Sequence, residues 1–246
     1  LNAERLLAAL ALPEDCRVGH RVPKKLLAEN ASFGAGDRKA VAEGVEELTW
    51  VAACKPGNLG VPAFRDEARE YLEIAVLHLR ARGEPERLST LLHRAVPYPA
   101  VLITEWHGGV AVSLVHKRAS KGERDRVVLD GDVVSVSWTQ AEEMTDDRFS
   151  ALAWRRLPSM FALYQAWLDA LHALRAARIT GRFALPTSDH AANMRREALL
   201  AREAVLAELA RKTAEAERES QMARLVALNE EIRQLRARLI EEESRL

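Results

Sequence analysis

Residues 101–116 read VLITEWHGGVAVSLVH. Two apolar, β-branched runs, Val101 to Trp106 and Val110 to His116, flank His107-Gly108-Gly109, the pattern of a β-hairpin closed on a glycine turn. Downstream, a second turn at Lys121-Gly122 leads into Val127-Val128-Leu129 and Val133 to Trp138, which extends the hairpin into an antiparallel meander. Upstream, Leu48 to Cys54 is short and apolar and ends at Lys55-Pro56-Gly57-Asn58, as a buried strand would. Tyr71 to Leu79 is similarly β-rich. Helical spacing lies between these runs. Asp37 caps a helix reaching about Glu47, Leu88 to Ala95 closes before Pro97, and Pro158 opens a long amphipathic helix through Trp167 and Leu174. Strands and helices in this order predict an α+β domain over residues 1–180, a mixed or antiparallel sheet with flanking helices.

The chain changes character near residue 190. All nine prolines, all twelve glycines and every aromatic residue precede that point. The remainder is dominated by Ala, Leu, Glu and Arg, nearly all good helix formers. Leu225, Leu228, Ile232, Leu235 and Leu239 step by three and four, an a/d seam, and Leu199, Leu206, Leu209 and Thr213 follow a weaker version. Residues 190–246 therefore form a C-terminal helical coil, either one long helix or a hairpin bending near Ser220. Its apolar stripe must meet another helix, because helices of this composition do not hold themselves up in water. The seam makes Leu225, Leu228, Ile232, Leu235 and Leu239 the candidate partner-binding residues.

The balance of 36 basic against 36 acidic side chains argues against a surface that grips nucleic acid everywhere. No run of eighteen apolar residues exists, so neither a membrane span nor a secretory leader is expected. Cys16 and Cys54 are too few for a disulfide framework or structural zinc, and both read as small buried thiols. The expected setting is cytoplasmic.

Catalytic signatures are sparse. There is no phosphate loop, no G-x-S-x-G elbow, no H-E-x-x-H and no pair of C-x-x-C motifs, and the histidines do not sit at metal-ligand spacing. An enzymatic alternative centres on Glu73, an acid among apolar strand residues, followed by a hairpin carrying Glu105. Paired carboxylates of that kind hold Mg²⁺ in metal-dependent nucleases. Such a core also wants a lysine two residues after the second acid, and Glu105-Trp106-His107 lacks it. The plainer alternative pairs Glu73 with a cation across the sheet. Basic residues cluster at Arg21, Lys24 and Lys25, at Lys117, Arg118 and Lys121, and at Arg155-Arg156. Lys24, Lys25, Lys117 and Arg118 are the candidates for phosphate contact if loops present them.

Four stretches together resemble an uncharacterised prokaryotic domain family of unknown function. They are Val22-Pro23-Lys24-Lys25; Glu47-Leu48-Thr49-Trp50 with Lys55-Pro56; Tyr71 to Val76 leading to Val96-Pro97-Tyr98-Pro99-Ala100-Val101-Leu102; and Leu228 to Leu235 in the charged coil. His116 stands before Lys117 where that family usually has an aromatic. Genes of the family commonly lie beside DNA helicase and DNA methyltransferase genes in restriction and phage-defence clusters. The resemblance implies a non-catalytic accessory subunit, without cofactor, that docks on a helicase or methyltransferase partner, touches DNA, or self-associates through the coil.

Overall fold

The computed structural model describes residues 2–30, 33–83, 85–122, 126–139 and 148–246, with side chains 28–30 left aside. The fold is α+β, and the chain divides into two compact units, Leu1–Leu171 and His172–Leu246.

The first unit is built on six strands: β1 (Arg17–Arg21), β2 (Val45–Cys54), β5 (Ile74–Ala81), β6 (Ala100–Trp106), β7 (Gly109–Ala119) and β8 (Val127–Thr139), in the spatial order β1-β2-β5-β6-β7-β8. Only β5 and β6 run parallel, because the helix α5 (Glu86–Ala95) carries the chain back between them. The other neighbours are antiparallel. A separate two-stranded ribbon joins β3 (Phe64–Arg65) to β4 (Glu70–Tyr71).

The hairpin expected from residues 101–116 is present, with Trp106 opposite Gly109 and Glu105 opposite Val110. Gly109 is required there. Its φ is +157°, and a Cβ at that position would lie 2.1 Å from the Trp138 carbonyl oxygen. Three local expectations shift. Residues 127–139 form one continuous strand rather than two, because Gly131 at φ +100° absorbs the bend without ending the pairing. β2 begins at Val45, directly after α3 (Ala35–Gly44), because Val45 and Leu48 are buried on the sheet's core face. The Lys55-Pro56-Gly57-Asn58 turn is a single helical turn, α4 (Pro56–Leu59), closed by left-handed Gly60.

Alternation along the strands makes two cores. On one face, Ala75, Leu77, Leu79 and Leu102 pack with Leu88, Leu91 and Leu92 of α5 and with Val41 of α3. On the other, Ile74, Val76, Val101, Ile103, Val112 and Trp138 are buried, as are Leu6 of α1 (Ala3–Ala9) and Leu163, Tyr164 and Trp167 of α6 (Met160–Thr180). The Tyr164 hydroxyl sits 2.8 Å from the Ala100 carbonyl and accepts the Val115 N–H at 3.1 Å. Trp167 donates its indole N–H to the Leu152 carbonyl at 2.8 Å. Full burial of such side chains contributes roughly 1.5–3 kcal/mol each and fixes the helix on the sheet.

In the second unit the glycine-free tail is a hairpin, not one long helix. α7 (Asp189–Ala216) starts at a Ser188 cap, and α8 (Met222–Ser244) follows a break at residues 217–221. Cross-helix ion pairs bind the two antiparallel arms: Arg202 to Glu243 at 2.8 Å, Arg224 to Glu215 at 2.9 Å, and Lys212 to Glu231. Leu228 and Ile232 are buried, while Leu225, Leu235 and Leu239 are half-buried. No helix among the described residues is long and apolar enough to cross a membrane.

Candidate functional site

Lys117 ends up beneath α5. It lies on the strand face that carries Ser113, and its side chain runs under the last turn of that helix, where the amine donates to the carbonyls of His93 and Val96. These are terminal carbonyls that the helix itself cannot satisfy. Burial pulls the Lys117 amine down to about 7. Beside it, burial and the Lys117 charge lower His93 to about 3, so the ring is neutral, and its Nε2 lies 3.0 Å from the Ser113 hydroxyl.

Lys117 also lines a cavity of about 380 Å³ at the end of the sheet where β5 and β6 begin. Leu72, Glu73, Tyr98, Arg118 and Val127 complete its principal wall. Tyr98 is held by its neighbour Trp50, with ring centroids 6.3 Å apart and planes 29° from parallel. Burial, then the Glu73 charge, pushes the Tyr98 hydroxyl up. One Glu73 oxygen lies 3.2 Å from the Lys55 amine. The other, Oε1, is buried with no hydrogen-bond partner among the described residues. Cys54 adjoins this carboxylate and the Cys16 thiol, and burial raises both thiols. At the rim, Asp130 accepts two hydrogen bonds from Arg69, at 2.9 and 2.6 Å, and lies 3.6 Å from Arg118.

Of the residues singled out by sequence, the structure gathers Glu73, Lys117 and Arg118 at this cavity and disperses the rest. Glu105 stands at the far end of the parallel pair, opposite Arg80 and 3.2 Å from His78 Nε2. Five residues of strand, about 17 Å, separate it from the Glu73 end. The two carboxylates therefore share no metal, and no group of three potential ligands occurs among the described residues. Glu73 instead pairs with Lys55, a cation that follows the neighbouring strand β2, as the plainer alternative expects. Lys117 corrects the expectation of a loop-presented phosphate contact. It is 4% exposed, because its position on the strand points it inward under α5. Lys24 and Lys25 are on α2 (Lys24–Asn30), with the Lys24 amine on the Ala42 carbonyl at 3.2 Å.

Sequence reasoning missed a hydrogen-bonded chain on the opposite sheet face: Tyr71 hydroxyl to His116 Nδ1, His116 Nε2 to Gln165 at 2.9 Å, and Gln165 to Asp169 at 2.9 Å. Its members come from β4, β7 and α6, so no local spacing could announce it.

Two of the four stretches behind the family resemblance meet at the cavity, through Trp50 on Tyr98 and Lys55 on Glu73. A family model described as a domain of unknown function, DUF4391, matches residues 10–239. The chain belongs to the DUF4391 family. Comparison with curated proteins and with solved structures finds no match. The family's coil is the second surface of interest. Leu228 and Ile232 of its expected docking seam are buried in the second unit, where α8 packs along α7, and the flank of α8 beside that seam carries Met222 at 74%, Val226 at 62% and Ile240 at 69% exposure.

Proposed function

We propose that this DUF4391 chain is a non-catalytic accessory subunit of a DNA-targeting phage-defence or restriction–modification assembly. It works in the cytoplasm and docks on a helicase or DNA methyltransferase subunit through the outer side of α8. The observation that carries the docking role is the spacing of the exposed side chains. Met222, Val226 and Ile240 lie on one exposed stripe of a helix whose first seam already lies along α7. A hairpin needs only one seam to hold its two arms together. Large apolar groups exposed along a second stripe of a helix mark a contact surface. The choice of partner rests on the gene-neighbourhood character of the family that the chain resembles. Any contact with DNA is assigned to Lys24, Lys25 and Arg118, with Lys117 withdrawn from that role.

The test is co-purification of the native protein with its neighbours' products, wild type against Met222→Asp combined with Ile240→Asp. Both positions are exposed, so helicity and thermal unfolding stay at wild-type values while the partner is lost. A double variant that keeps its partner at wild-type stoichiometry removes the reading.

A further inference from the structure

The cavity beside Lys117 lies in the first unit and takes no part in docking through α8. Among the described residues, that unit exposes four large apolar side chains, Leu26, Leu72, Tyr98 and Val127. Three of them, all but Leu26, line this one cavity. Tyr98 is backed by the Trp50 ring, which makes it a supported flat wall. Exposed apolar groups gathered in a concavity with a few polar ones mark a ligand site.

The polar groups divide by sign across the sheet. Glu73 immediately precedes β5, and its Oε1 is buried without a hydrogen-bond partner among the described residues. Lys55 pairs with the other oxygen at 3.2 Å. An unpaired buried acceptor costs free energy that an N–H donor would restore. Arg118 stands on β7, two strand spacings from β5, or about 10 Å. There Arg118 and Arg69 share one carboxylate, Asp130, and a guanidinium charge is left over. The other acids of the wall are engaged or screened. Glu70 pairs with Arg65, Asp66 accepts the N–H groups of Ala68 and Arg69 at 2.8 and 2.6 Å, and Glu67 is exposed to solvent.

These three features select among ligands. An apolar amine would satisfy Glu73 and leave the surplus arginine charge unanswered. An apolar carboxylate would suit the arginines and leave Glu73 Oε1 unpaired. A flat heterocycle with an N–H edge at one end and a phosphate at the other meets all three. We infer that the cavity binds a nucleotide, with its base edge donating to Glu73, its ring against Tyr98 and its phosphate on Arg118 and Arg69. The volume of about 380 Å³ is that of a small-molecule site. A free mononucleotide and the 5′-terminal nucleotide of a strand offer the same chemistry, and the experiment separates them.

Titration calorimetry of the full chain uses AMP, GMP, CMP and UMP, the matching nucleosides, inorganic phosphate, and short oligonucleotides with and without a 5′ phosphate. At least one mononucleotide or 5′-phosphorylated strand is expected to bind with a Kd below about 100 μM. Nucleosides, unphosphorylated strands and inorganic phosphate are expected to bind at least about tenfold more weakly. A phosphorylated strand that outbinds every mononucleotide identifies the strand end as the ligand, and the reverse order identifies the free nucleotide. Tyr98→Ala and Glu73→Gln are each expected to weaken binding about tenfold or more. Tyr98 is exposed, so its replacement leaves thermal unfolding at the wild-type value and decides the matter should Glu73→Gln fail to fold. The inference is overturned if no mononucleotide or phosphorylated strand binds at about 1 mM, or if nucleosides or inorganic phosphate bind as tightly as nucleotides. It is equally overturned if either variant, folded as the wild type, binds unchanged.

Discussion

Replacing Lys117 with methionine removes an amine that is 4% exposed and pulled from an ordinary 10.5 down to about 7 by burial. The folded-state value lies below that of the unfolded chain, so the unfolded state holds the extra proton between about pH 7 and 10.5. Native stability attributable to this group therefore rises with pH across that window, and below it the burial cost is present in full. The window corresponds to about 5 kcal/mol at most. Methionine keeps the stem's packing but leaves the His93 and Val96 carbonyls without their donor, costing roughly 2–3 kcal/mol at every pH. The two effects have opposite consequences at the ends of the window. At high pH the variant is the less stable protein by roughly 2–3 kcal/mol, whereas at about pH 6 it matches or exceeds the wild type by roughly 2 kcal/mol. Urea unfolding of both proteins at about pH 6, 8 and 10 measures the gap. A gap that stays constant across the three pH values would refute the reasoning, because it would mean that Lys117 takes up its proton as an exposed lysine does.

Acid should destabilise the protein early. Folded-state values of about 3 for His93 and about 4 for His172, both below the usual 6.5, mean that unfolding takes up protons as pH falls from 6.5. The slope approaches about 3 kcal/mol per pH unit for the pair, and calorimetry of His93→Gln with His172→Gln should show it flattened. Gly109→Ala drives a methyl against the Trp138 carbonyl at a positive φ, and a loss of about 3 kcal/mol or more is expected in chemical unfolding. Ile232→Ala empties a buried position in the second unit, for a cost of about 2–4 kcal/mol. Hydrogen exchange is the assay there, with protection falling in α7 and α8 while β6 and β7 keep theirs.

How far the sequence can be read depends on the range of the interactions involved. The β6–β7 hairpin, α5, α6 and the breaker-free tail announce themselves locally, since periodicity and a Gly-Gly turn act over a few residues. The choice between one long helix and a hairpin is not legible, because it depends on cross-helix pairs such as Arg202 with Glu243, forty-one residues apart. The same limit explains Lys117. Its place at a strand end reads as surface, and only the parallel crossover that drops α5 above β7 converts it into a buried cap. Glu73 and Glu105 look like neighbours of one site in the sequence, and the parallel register of β5 and β6 sends them to opposite ends. Trp50, Lys55, Glu73 and Tyr98 are separated by loops and a helix along the chain, and the pairing of β2 with β5 and of β5 with β6 brings their flanking segments together.

A photo-reactive side chain placed at Val226 or Ile240 of the native, co-purified assembly tests the docking role most directly. The expected product is a covalent adduct with the helicase or methyltransferase subunit, identified by mass spectrometry, while the same probe at exposed Leu26 of the first unit gives none. Adducts confined to the chain's own peptides, or equal capture from Leu26, would contradict the assignment of α8 as the contact surface.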